Sequence, residues 1–148
     1  MAIDLSREGM NSGHGGPFGC VIVKEDRIVG KGYNRVSSTN DPTAHAEIVA
    51  IRDACKNLNT FQLQGCELYT SCEPCPMCLG AIYWARLDRV FFANDKTDAA
   101  EAGFDDKLIY EELSIPLMER KIPMKQLILG DAKEVFRQWI AKANKMRY

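Results

Sequence analysis

Cys75 and Cys78 stand three positions apart in Cys72-Glu73-Pro74-Cys75-Pro76-Met77-Cys78, directly before an apolar run. On a helix, positions i and i+3 share a face, so both sulfurs can reach one ion. The positive end of a helix dipole favours the thiolate forms that a metal binds. Pro74 suits a first helical position, where its missing N–H costs nothing, and the pattern predicts a helix over 74–86. Two thiolates leave a zinc site half built. The chain has two histidines, His14 and His45. His14 lies among glycines in a turn-rich stretch and reads as a solvated loop residue. His45 is followed two positions later by Glu47.

A C-x-x-C pair alone says little. H-x-E followed by P-C-x-x-C is the signature of zinc nucleobase and nucleoside deaminases, and His45-Ala46-Glu47 with Pro74-Cys75-Pro76-Met77-Cys78 fits it. His45, Cys75 and Cys78 are therefore the candidate zinc ligands. Three protein ligands leave one tetrahedral position for water, whose pKa a catalytic zinc lowers to about 7. Glu47 need not touch the metal. It can take the water's proton and pass it to a ring nitrogen and then to a departing amine, help worth about 10²–10⁴ in rate. The competing reading is a closed four-ligand structural site with Cys72 as the extra ligand. A packing role for Cys72 stands beside that.

The elements that must position these residues alternate between strands and helices. A short helix is expected at 3–10, then a hairpin of strands 18–24 and 27–33 around Glu25-Asp26. Asp41-Pro42 reads as the start of a helix running to about residue 57, with Asp at the N-cap. Its expected buried face is Ile48, Ile51, Ala54, Cys55 and Leu58. Mid-helix, His45 and Glu47 would project about 200° apart, so they can share a site only at a helix tip. Strands are expected at 67–71, 89–94 and 124–129, a loop at 97–106, and a helical turn at 106–113. A last helix, 131–145, would carry Val135, Phe136, Trp139 and Ile140 on its core side. This alternation favours α/β layers with helices on both sheet faces.

With 148 residues, 46% of them hydrophobic and 26% charged, the chain suits a single globular domain, 1–148. A net charge of −1 gives no electrostatic reason to expect nucleic acid. No basic segment leading into an apolar stretch suggests a signal peptide, and the longest apolar run falls far short of the roughly 20 residues of a membrane span. A cytoplasmic location is expected, with Cys20, Cys55 and Cys66 as small buried thiols. Phe18 and Trp84 fit two readings, walls of a flat pocket or core. Asn34, just past a strand end, could offer donor and acceptor to a purine edge or could cap its loop.

Along nearly its whole length the chain resembles the bacterial guanine deaminases of the cytidine-deaminase-like superfamily. The likeness lies in Gly15-Gly16-Pro17-Phe18-Gly19, in residues 40–47, in the cysteine stretch through Tyr83-Trp84-Ala85-Arg86, and in residues 97–106. The zinc motifs carry the superfamily, and the last segment points to guanine. The resemblance implies a three-layer α/β/α fold around a mostly five-stranded mixed sheet. It also implies zinc-dependent conversion of guanine to xanthine and ammonia, a step of purine catabolism. His45, Cys75 and Cys78 match the zinc ligands, Glu47 the proton shuttle, and Asp106 an acidic residue that assists deamination. Asn34 and Ala46 match residues that contact the purine, and Phe18 and Trp84 match pocket walls. Tyr148 matches a tyrosine that closes the pocket, in a homodimer whose subunits exchange C-terminal segments. The first helix is about two turns shorter than in that family. Two rival readings remain: a deaminase of transfer-RNA adenosine or another base, which calls for a basic surface and salt-sensitive binding, and a non-catalytic zinc-binding module.

Overall fold

A computed structural model describes residues 1–147. Helix α1 (Ala2–Asn11) leads into the expected hairpin, β1 (Gly19–Lys24) and β2 (Arg27–Tyr33). Its turn residues Glu25 and Asp26 both take positive φ, 48° and 61°, the conformation that matches a two-residue turn to strand twist. One short helical turn, α2 (Val36–Thr39), precedes α3 (Ala46–Leu58). β3 (Cys66–Cys72), α4 (Pro76–Ala85) and β4 (Arg89–Asn94) follow, then α5 (Lys96–Glu101). The sheet order is β2-β1-β3-β4, with β1 antiparallel to both neighbours and β3 parallel to β4. The parallel pair needs a crossover, which α4 supplies.

Alternation along the strands gives the sheet two faces. Gly19 turns one face to α1, so closely that a Cβ there would lie 2.2 Å from the Ala2 carbonyl oxygen. Cys20, Ile22 and Leu68 turn the other face to α3 and α4, where they form the core with Ala46, Ala50, Ala54, Ile82 and Ala85. That makes three layers. The buried face of α3 is rotated from the expected one: its innermost residues are the alanines 46, 50 and 54, with Ile51, Cys55 and Leu58 half-buried at the flanks. Close approach is the reason. A Cβ at Gly32 would sit 2.6 Å from the Ala46 carbonyl oxygen, and one at Gly30 would sit 2.5 Å from that of Ala50. Only small residues fit on both sides. Gly32→Ala is expected to cost about 1–3 kcal/mol by lifting the start of α3 off the sheet. Because that tip carries His45 and Glu47, thermal melting and turnover should fall together, and an unchanged melting temperature would contradict the close-packing account.

Of the loop expected at 97–106 from its small and acidic composition, residues 102–106 are irregular as expected, but 97–101 lie in helix α5. Asp95 caps α5 by accepting from the Thr97 and Asp98 amides, and Asp98 accepts back from the Asp95 amide. This reciprocal capping box offsets the weak intrinsic preference of the segment.

The chain divides into two compact units, Met1–Asp106 and Lys107–Tyr148. The second contains α6 (Lys107–Ser114), a 3-10 turn (Leu117–Glu119) and α7 (Gly130–Ala141). Its expected strand, 124–129, forms no ladder among the described residues, so the sheet has four strands rather than five. A strand needs a hydrogen-bonded neighbour, and apolar composition cannot supply one. None of residues 107–147 is buried: Ile128 is 86% exposed and Phe136 72%. The expected core side of the last helix is therefore open in the single chain. No helix among the described residues is long and apolar enough to cross a membrane.

Candidate functional site

Both expected helix starts move towards the site. Asp41 does not cap α3. Its carboxylate instead accepts from the Thr43 amide at 2.8 Å and the Thr43 hydroxyl at 2.6 Å, closing a turn of its own. The N-cap is His45, with extended backbone at ψ 157°. Likewise Pro74 lies outside α4. Pro76 takes the first helical position and Cys75 is the N-cap, at ψ 167°. The His45 side chain makes no capping bond to its own helix. Two helix tips thus turn an imidazole and a thiol towards each other, with Cys78 one turn inside α4.

His45 Nδ1 lies 3.6 Å from Cys75 Sγ and 3.5 Å from Cys78 Sγ. The three potential ligand atoms all fall within 4.8 Å of one another. With Zn–N near 2.0–2.1 Å and Zn–S near 2.3 Å, a tetrahedral angle places nitrogen and sulfur about 3.6 Å apart. The residues fit zinc. Contacts within the trio set its protonation. Donation from Cys78, opposed by burial and helped by His45, lowers the Cys75 thiol to about 4. Donating to Cys75, together with burial, pushes the Cys78 thiol up. Cys75 also raises the His45 imidazole.

Glu47 occupies the first turn of α3 and is only 6% exposed. The Cys78 thiol faces its Oε2 at 3.5 Å, and the Thr70 hydroxyl faces its Oε1 at 3.5 Å. Burial raises its carboxyl pKa. A buried carboxylate beside a metal trio has the placement and raised basicity of a proton carrier.

Residues 1–94 match the family described as the cytidine and deoxycytidylate deaminase zinc-binding region. The chain belongs to that family. It is similar to the guanine deaminase of Bacillus subtilis (strain 168), at 58% identity over 99% of this chain and 94% of the relative. The X-ray structure of guanine deaminase from Bacillus subtilis superposes with a TM-score of 0.97, at 58% identity over 99% of this chain and 94% of that one. The tRNA-specific adenosine deaminase of Aquifex aeolicus (strain VF5) is 38% identical over 85% of this chain and 81% of its own.

Other residues that family membership makes of interest are distributed unevenly. Asn34 is buried, and its Oδ1 accepts from the Gly16 amide at 3.3 Å and the Val36 amide at 3.2 Å. The loop thus takes up its carbonyl, and only the amide nitrogen is left for a ligand. Phe18 packs against the core and meets Phe104 edge-on, with ring centroids 4.9 Å apart. Phe104 was not singled out by the sequence reading. Its only signal is its place beside Gly103 in the 97–106 segment. Ala46 is fully buried under α3's first turn. Asp106 is half-buried, and burial followed by the Cys75 charge raises its carboxyl pKa.

Trp84 is 65% exposed, on a different side of α4 from the buried Cys78, Ile82 and Ala85. Cys72 is buried and its thiol faces the Asp95 carbonyl at 3.5 Å. Burial, with Glu47 next, raises that thiol to about 11. It stands outside the metal trio. His14 stacks on Tyr33, with centroids 5.4 Å apart, and is no part of the trio either. Cys20 and Cys66 are buried, Cys55 is half-buried, and all six cysteines are free thiols. Tyr148 lies outside the described residues.

Proposed function

We propose that the chain is a zinc-dependent guanine deaminase that hydrolyses guanine with water to xanthine and ammonia, a reaction of purine breakdown. One observation carries the reading: an imidazole and two cysteine sulfurs at zinc spacing, with the buried carboxyl of Glu47 against one of the sulfurs. The similarity to a protein named guanine deaminase, over nearly the full chain, supports guanine as the base. Both units are then parts of one deaminase domain.

His45, Cys75 and Cys78 hold the zinc, which when bound supplies a water acidic enough to act at neutral pH. Glu47 takes that water's proton as oxygen adds to the amino-bearing ring carbon. The same carboxyl delivers that proton to the ring nitrogen, then takes the proton of the added hydroxyl and passes it to the amine, which leaves as ammonia as the C–N bond breaks and the carbonyl forms. Burial serves this role, because it raises the pKa of the carboxyl and makes Glu47 a stronger base. Asp106 steadies the amino group as it leaves. The Asn34 amide nitrogen donates to a ring acceptor and Phe18 walls the pocket, whereas Ala46, fully buried in the core, supports the tip of α3 from beneath.

Two copies of the chain exchange C-terminal segments in this reading, and Trp84 and Tyr148 complete the pocket in the dimer. Three apolar surfaces favour it: the outer strand β4 with Phe91 and Phe92 exposed, the open side of α4, and residues 124–129 without a ladder. An unpaired apolar edge strand calls for a partner. Free thiols throughout suit a reducing cytoplasm.

The direct test is ammonia release from guanine, adenine, cytosine, their nucleosides and transfer RNA. Guanine should turn over fastest, whereas preference for transfer RNA would favour the activity named for the Aquifex relative. Asn34→Asp keeps an oxygen for the Gly16 and Val36 amides but replaces the outward donor with a carboxylate oxygen. Its KM for guanine should rise about tenfold or more while the fold is kept, since an unmatched polar pair costs about 1–3 kcal/mol. An unchanged KM would place the base elsewhere.

A further inference from the structure

Thr70 has no part in the motifs, yet it sits directly beneath the proton carrier. It lies on β3 opposite Cys20 of β1, on the sheet face that α3 covers, and is buried. Its hydroxyl lies 3.5 Å from Glu47 Oε1 and 3.4 Å from the Gly19 carbonyl oxygen. One hydroxyl proton therefore has two acceptors within reach. Glu47's other oxygen, Oε2, is the one against Cys78, on the side of the metal trio. We propose that Thr70 is a positioning residue, whose hydroxyl holds Glu47 Oε1 and thereby commits Oε2 to proton transfer.

The proposal rests on Glu47 being the proton carrier. A carboxylate in a buried site can rotate or pair its two oxygens with whatever donors it meets, and a wrong pairing removes the oxygen that the reaction needs. The Thr70 hydroxyl fixes the choice from below. No bond other than the hydrogen bond is made or broken at Thr70.

Thr70→Val keeps the shape and removes the hydroxyl. In the zinc-loaded enzyme it should lower kcat for guanine about tenfold or more, the rate equivalent of one modest hydrogen bond. KM and zinc content should stay within twofold of the parent, roughly. Thr70→Ser should restore most of kcat. The second readout is independent of turnover: melting temperatures of the zinc-free parent, Thr70→Val, Glu47→Ala and the double variant. Coupled side chains give non-additive losses, so Thr70→Val should cost less once Glu47 is gone. Should Thr70→Val not fold, Thr70→Ala carries the same comparison. Normal kcat without the hydroxyl, or additive melting losses, would overturn the proposal. Full activity in Glu47→Gln would instead overturn the reading beneath it.

Discussion

Glu47→Gln is expected to lower guanine turnover by a factor of about 10²–10⁴, the usual worth of general acid–base help, with zinc retained. The two side chains have the same shape, and both can accept from Thr70. The difference is that the amide cannot take up and return a proton at Oε2, the atom beside Cys78. Stability separates this loss from misfolding. Burial raises the native Glu47 pKa above its unfolded value, so folding favours the protonated form. Below the unfolded pKa both states carry the proton and there is no penalty. As pH rises through the folded pKa, the buried charge costs stability, and the cost persists above it. The metal-free Gln variant should therefore melt above the metal-free parent at neutral pH, with the gap closing in acid. A variant that keeps near-normal turnover would remove Glu47 from the mechanism.

The second large effect is at Cys78. Its sulfur is fully buried, lies 3.5 Å from His45 Nδ1 and stands against Glu47. Cys78→Ala leaves two ligands on two separate helix tips. Bound zinc should drop from one per chain to the background of metal analysis, and guanine turnover should drop with it. For the parent, zinc at a hundredfold excess over its dissociation constant stabilises by about 2.7 kcal/mol, so its melting temperature should rise on zinc addition. That of Cys78→Ala should not move. Full zinc occupancy in the variant would mean that another residue, such as Cys72, completes the site.

The trio and Glu47 were legible because their chemistry is local: two short motifs specify the residue types, and the spacing within each tells which tip they share. What the sequence hid was where the tips begin. Asp41-Pro42 and Pro74 are sound start signals, but Asp41 spends its carboxylate on Thr43, and the helices begin at the metal residues themselves. The rotated face of α3 was hidden for another reason. Gly30 and Gly32 lie on a different element, and only their pairing under the helix makes alanine the inner residue. Thr70 left no pattern to read and Phe104 only its place in the 97–106 segment, because each meets a neighbour distant in sequence. Residues 124–129 have the composition of a strand, yet pairing is a property of two segments, and no described segment pairs with them.

X-ray absorption at the zinc edge of the purified protein tests the central claim most directly. The account predicts two sulfurs near 2.3 Å with two lighter ligands near 2.0–2.1 Å, one from His45 and one from solvent. Replacing the solvent ligand with an inhibitor that coordinates zinc should change the light-atom shell and leave both sulfurs in place. Three or four sulfurs, or a shell unmoved by any such ligand, would mean a closed structural centre and would contradict the account.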